Sequence, residues 1–110
     1  MGFILSSALG ELERSYGSLR LLIALYRKNN PIMLTNLRDE MLTQYGVGRR
    51  ATQTSIDVCL KLKLIKREIE STEMKNGQAI RIPMPRVLHS LTPKGKKVAK
   101  ILTELDSALT

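Results

Sequence analysis

The sequence predicts a mostly α-helical chain with a small β-hairpin set before its last helix, an α+β class. Three observations predict it. Apolar residues recur at spacings of three and four in several separate segments, Asn76-Gly77 lies between two alternating runs, and Thr92-Pro93 opens a final apolar stripe. With 110 residues, 43% of them hydrophobic, one compact core is expected, and residues 1–110 read as a single domain.

The elements follow in chain order. Leu9, Leu12, Tyr16, Leu19, Leu22, Ile23 and Tyr26 mark one helix face, interrupted at Gly10 and Gly17, which predicts one broken helix or two consecutive ones. Asn29-Asn30-Pro31 stops that run, because proline disfavours helical geometry in the residue before it and Asn tolerates a C-terminal cap. Ile32 to Leu34 is short, apolar and extended. Thr35 or Asn36 is placed to cap a second helix of two to three turns, with Asp39 and Glu40 in its first turns and Leu37 and Met41 facing inward.

Gln44 to Gly48 reads as a turn. A third helix begins near Arg49, with Ile56, Cys59, Leu60 and Leu62 on its apolar face and Leu64 and Ile65 following as core residues. Ile65 to Ile69 and Ala79 to Ile82 alternate apolar with polar residues, giving a two-stranded ribbon about Asn76-Gly77. Pro83 and Pro85 lack backbone donors and should end or kink the ribbon, before Val87 to Leu91 returns toward the body as a third short strand segment. Thr92 caps a last helix with Pro93 at its first position, and Val98, Ile101, Leu102, Leu105 and Leu109 run along it as a stripe.

Eighteen Lys and Arg oppose ten Asp and Glu, a formal +8 that attracts polyanions. Residues 1–40 hold five basic and four acidic side chains, net +1, whereas residues 41–110 hold thirteen and six, net +7. The excess sits with the third helix, the ribbon and the last helix.

Several function classes find no support. The lone Cys59 forms no internal disulfide and suits a reducing, cytoplasmic setting; on the third helix's apolar face it reads as a core residue, not a redox sensor. His89 is the sole histidine and has no companions at ligand spacing, so a metal site or a histidine-based triad is not expected, and it reads as structural or surface. No phosphate loop, nucleophile elbow or paired-carboxylate pattern occurs, so neither an enzyme nor a cofactor is expected. The apolar patch Phe3 to Leu5 is too short for a signal segment and nothing approaches a membrane span, so a soluble chain is expected. With 4% aromatic residues and no Trp, stacking platforms for single strands are lacking, and duplex DNA is the better polyanion.

Two stretches carry a family resemblance. Ile56-x-x-Cys59-x-x-Leu62-Lys63-Leu64-Ile65-Lys66-Arg67 looks like the end of a recognition helix entering a first wing strand. Leu91-Thr92-Pro93-Lys94-Gly95-Lys96-Lys97-Val98 looks like the junction after a wing. Together with the element order, residues 16–100 resemble the winged helix-turn-helix DNA-binding transcriptional regulators of the MarR, PadR and related groups, here with extra terminal helices. Lys63 stands where many relatives carry glycine, a position that Lys occupies at some conformational cost.

The resemblance implies that residues 49–62 enter a major groove and that residues 66–82 form a wing on the backbone or in the minor groove. On that reading Arg49, Arg50 and Gln53 read bases, Thr54 and Lys61 support them beside Asp57, and Lys75 and Arg81, with Arg86, serve the wing. Asn36 and Arg38, at the start of the second helix, are secondary phosphate candidates. Lys94, Lys96, Lys97 and Lys100 oppose the dipole of the last helix, so either phosphate contact or solvation explains them. The bland alternative for each of these residues is a solvated face or an edge charge.

Terminal helices over residues 1–15 and 93–110 are expected to form a homodimer through Leu5, Leu9, Leu12, Val98, Ile101, Leu102, Leu105 and Leu109. Packing of the two helices on each other within one chain is the alternative. No residue there specifies an effector. A nonspecific architectural DNA-binding protein and a protein-interaction module are the rival functions.

Overall fold

The computed structural model of the chain describes residues 6–110. Leu5 and the Phe3 to Leu5 patch lie outside the described residues. The order is α1 Ser7–Arg14, α2 Ser18–Lys28, β1 Ile32–Met33, α3 Leu34–Tyr45, α4 Arg49–Lys61, β2 Ile65–Lys75, β3 Gln78–Leu91 and α5 Pro93–Leu109.

The first apolar run resolves into two helices, and Gly17 is the reason. Its φ is +96°, and a Cβ there would lie 2.8 Å from Ser55 Oγ and 2.9 Å from Val47 Cγ1, so both backbone and packing require glycine. Gly10, by contrast, lies within α1 and interrupts nothing. Asn29 ends α2 in the left-handed region at φ 54°, its N–H bonded to the Leu25 carbonyl.

The second helix departs from expectation. α3 starts at Leu34, directly from β1, with Met33 at the cap position and no side-chain cap, so Thr35 and Asn36 already lie inside the helix. Asp39 and Glu40 therefore fall beyond its first turn, and the helix runs on through Gln44 and Tyr45 to Gly46 at φ 67°. Pairing of Ile32 and Met33 with His89 and Leu88 fixes where the chain leaves the sheet, which overrides capping preference.

α4 begins at Arg49 and ends at Lys61, after which Lys63 takes φ 60°, a left-handed conformation that glycine adopts at less cost. The sheet is antiparallel with order β1-β3-β2. Asn76 and Gly77 both have positive φ and close a two-residue hairpin. The hairpin outruns the expected 66–82. Pro83 and Pro85 kink β3 without ending it: Glu70 pairs with Arg86 but Thr72 with Arg81, so β3 carries extra residues through a bulge that needs no proline donors.

The core gathers Leu21, Leu22 and Leu25 of α2, Leu37 and Met41 of α3, Val47 of the following turn, Ile56 and Cys59 of α4, then Leu64, Ile65, Leu91 and Ala99. Each fully buried large side chain stabilises the fold by about 1.5–3 kcal/mol. Leu60 and Leu62 are only half-buried, against this cluster.

α5 is set onto it by a close approach. Thr92 Oγ1 accepts from the Gly95 N–H at 3.0 Å and donates to the Lys63 carbonyl at 2.7 Å, while the Thr92 N–H bonds to the Leu64 carbonyl at 3.0 Å. A Cβ on Gly95 would lie 1.7 Å from that same Leu64 oxygen, so only glycine fits. The two stretches that resemble the family thus touch each other.

Candidate nucleic-acid interface

α3, the turn Gly46-Val47-Gly48 and α4 form the helix-turn-helix unit. Val47 is fully buried and anchors the turn. The inner face of α4 is partly polar. Thr52 Oγ1 lies 3.4 Å from the Val47 carbonyl, and Ser55 Oγ lies 2.8 Å from both the Tyr16 and Ala51 carbonyls, sharing its hydrogen between them. Sequence periodicity missed these two residues, because small hydroxyls carry no apolar signal.

The outer face of α4 presents Arg49, Arg50, Thr54, Asp57 and Lys61, all exposed, with Gln53 half-buried among them. Among the described residues neither Arg49 nor Arg50 has a carboxylate partner, and the same holds for Lys75 and Arg81 on the wing. Lys61 differs: its ammonium pairs with Glu11 of α1 at 2.9 Å. Thr54 Oγ1 donates to the Arg50 carbonyl at 3.2 Å.

On the wing, Arg86 bridges Glu70 at 3.1 Å and Glu73 at 3.5 Å, so its charge is neutralised internally, while Lys75 and Arg81 project near the tip. Asn36 is exposed in the first turn of α3. Arg38 is half-buried and donates from its terminal nitrogen to Gln53 Oε1 at 3.2 Å; Gln53 Nε2 in turn donates to Asp57 Oδ1 at 3.1 Å. Lys94 donates to the Leu62 carbonyl at 3.3 Å, beside the C-terminus of α4, where a cation suits the dipole.

His89, expected to be structural or on the surface, is fully buried on β3. Arg67 Nε lies 3.4 Å from its Nε2, and its Nδ1 has no partner. Burial lowers its pKa below the ordinary 6.5, with Arg67 and Arg38 adding to the effect. Burial pushes the Cys59 thiol up to about 12 against a smaller opposing hydrogen bond from Ser18, which leaves it an unreactive thiol at neutral pH. Among the described residues no three His, Cys, Asp or Glu side chains gather as metal ligands, and no helix is long and apolar enough to cross a membrane.

The apolar residues expected at a dimer interface divide. Leu12 is 5% exposed and belongs to the chain's own core, and Val98 and Leu102 are half-buried against it. Leu9 at 48%, Ile101 at 59%, Leu105 at 54% and Leu109 at 78% stay open.

A helix-turn-helix flanked by a three-stranded sheet with a long hairpin defines the winged-helix fold. Solved structures share it. A protein described as a transcriptional regulator of the MarR family from Porphyromonas gingivalis W83 superposes with a TM-score of 0.66 at 19% identity, over 97% of this chain and 92% of that one. The circadian clock associated protein Pex from anabaena gives 0.55 at 12% identity, over 93% and 91%. F-93 of SSV1 gives 0.53 at 16%, over 83% and 88%. No family model matches the chain, and no curated protein matches its sequence.

Proposed function

We propose that this protein is a sequence-specific duplex DNA-binding transcriptional regulator that acts as a homodimer. The observation that carries the reading is the outer face of α4. It is a helix narrow enough for a major groove about 12 Å wide, and it presents Arg49 and Arg50 without internal counter-ions. An arginine that is neither paired nor buried is available to guanine O6 and N7 or to a phosphate.

In this reading Arg49, Arg50 and Gln53 address base edges and Thr54 supports them. Lys61, Lys75 and Arg81 neutralise phosphates, Lys61 by exchanging Glu11 for DNA, and Asn36 donates a hydrogen bond to a phosphate oxygen. Leu9, Ile101, Leu105 and Leu109, still open on the free chain, join two copies so that two α4 helices meet successive major grooves. A reducing, cytoplasmic setting suits the single unpaired cysteine, and the role is binding, not catalysis. The likeness to a protein described as a transcriptional regulator of the MarR family supports this assignment through the shared fold.

Selection of bound duplexes from a random pool at near-physiological salt tests it. Enrichment of an inverted repeat is the expected outcome. Retention with a steep salt slope and no enriched sequence would make the protein an architectural binder, and no retention would move the function to protein interaction.

A further inference from the structure

Gln53 is held at both ends of its amide. Arg38 can only donate and an ionised Asp57 can only accept, so the amide oxygen must face Arg38 on α3 and the amide nitrogen must face Asp57, one turn further along α4. A flipped amide would set its NH2 against the guanidinium and its oxygen against the carboxylate. The remaining N–H and the remaining lone pair of Gln53 are therefore held in a fixed order, and in a groove that order would decide which base edge they match.

Arg38 is itself half-buried. Its Nε is buried without a partner, and the guanidinium lies close enough to the fully buried His89 to help depress that residue's pKa. His89 sits on the central strand, opposite Ile32 of β1 and Arg67 of β2, at the root of the wing. Arg38 has no carboxylate within ion-pair distance among the described residues, and one of its two terminal nitrogens donates to Gln53.

We propose that Arg38 is a positioning residue for base readout: from α3 it orients Gln53 through its hydrogen bond to the amide oxygen and makes no phosphate contact. The proposal rests on the DNA-binding reading above. It assigns specificity to a side chain that touches no base, and it separates Arg38 from Asn36, its neighbour on α3.

The test uses the full chain, the duplex it selects and single-base variants of that duplex, titrated across a salt series. Arg38→Met should lose roughly tenfold of the discrimination at one base pair, the loss expected when one bidentate pair is misaligned, with an unchanged salt slope. Gln53→Ala should lose discrimination at the same base pair, and the double variant should lose no more than either alone. Arg38→Lys, which keeps the charge but not the fork, should behave as Arg38→Met does, and it replaces that variant if the methionine protein fails to fold.

Uniform weakening on all duplexes, with the salt slope reduced by about one, would overturn the proposal and make Arg38 a phosphate contact. Full retention of base preference in Arg38→Met would overturn it as well. A wild-type protein that selects no sequence would remove the functional reading and this inference together, whereas a selective wild type with an indifferent Arg38→Met removes the inference alone.

Discussion

The body and the wing are built on different principles. In the body, Leu21, Leu22, Leu37, Met41 and Ile56 are fully buried, and side-chain packing fixes how α2, α3 and α4 lie against one another. In the wing, every residue from Ser71 to Arg81 is exposed, including Met74 and Ile80, and the strands are held by their hydrogen-bond ladder and by Arg86 between Glu70 and Glu73. A two-stranded ribbon alone is marginal in water. The body's geometry is therefore fixed by packing, while the wing's path is held by backbone pairing and a few exposed ion pairs.

Glycine substitutions should expose that difference most strongly. Gly95→Ala forces a Cβ into the Leu64 carbonyl and should cost about 3 kcal/mol, lowering the melting temperature by roughly 10 °C or more. Gly77→Ala on the wing meets nothing within 4 Å and suffers only the left-handed backbone penalty, about 1–2 kcal/mol. Thermal unfolding of the two variants side by side checks the contrast, and equal losses would break it.

For DNA binding, Arg50→Ala should cost about 1–3 kcal/mol and relax one base position, whereas Lys75→Ala on the wing should weaken all duplexes alike and reduce the salt slope by about one. Titration of both variants on matched and mismatched duplexes separates the two behaviours.

Acid should act on the body. Because the pKa of His89 is lower in the fold than its ordinary 6.5, the unfolded chain binds the extra proton as pH falls through 6.5. Stability should be full above that pH and decline below it until the folded pKa is passed. His89→Gln should flatten this part of a melting-temperature profile against pH.

The smallest effect belongs to Arg86→Ala. Exposed ion pairs contribute at most about 1 kcal/mol, so global melting should barely move while hydrogen exchange accelerates in residues 70–86.

What could be read in the sequence was what local chemistry decides. Asn76-Gly77 announces its turn because both residues tolerate positive φ, Thr92-Pro93 announces its helix through a hydroxyl and a fixed ring, and the start of α4 at Arg49 follows from the glycine-bounded turn before it. The winged-helix order was legible for the same reason. The start of α3 was not, since β1 pairing with β3 determines it and nothing in Thr35 or Asn36 reveals that pairing. Nor was the length of the hairpin, because Pro83 and Pro85 read as a stop until the bulge accommodates them. At the candidate site the exposed cations of α4 could be named from helical spacing, but the bonds joining Arg38, Gln53 and Asp57 require two helices to be in place at once.

The seat of Gly95 on Leu64 also has a mechanical meaning. It leaves no gap between α5 and the exit of α4, so a rotation of one would be passed to the other as through a lever. α5 has 17 residues and is roughly 25 Å long, and a tilt of about 10° at its far end would swing the lever's other end by about 4 Å. In a dimer joined along α5, the spacing between the two recognition helices would then be geared to the crossing angle of the partners. Matching to half-sites one helical turn apart could be gained or lost without rearranging either protomer.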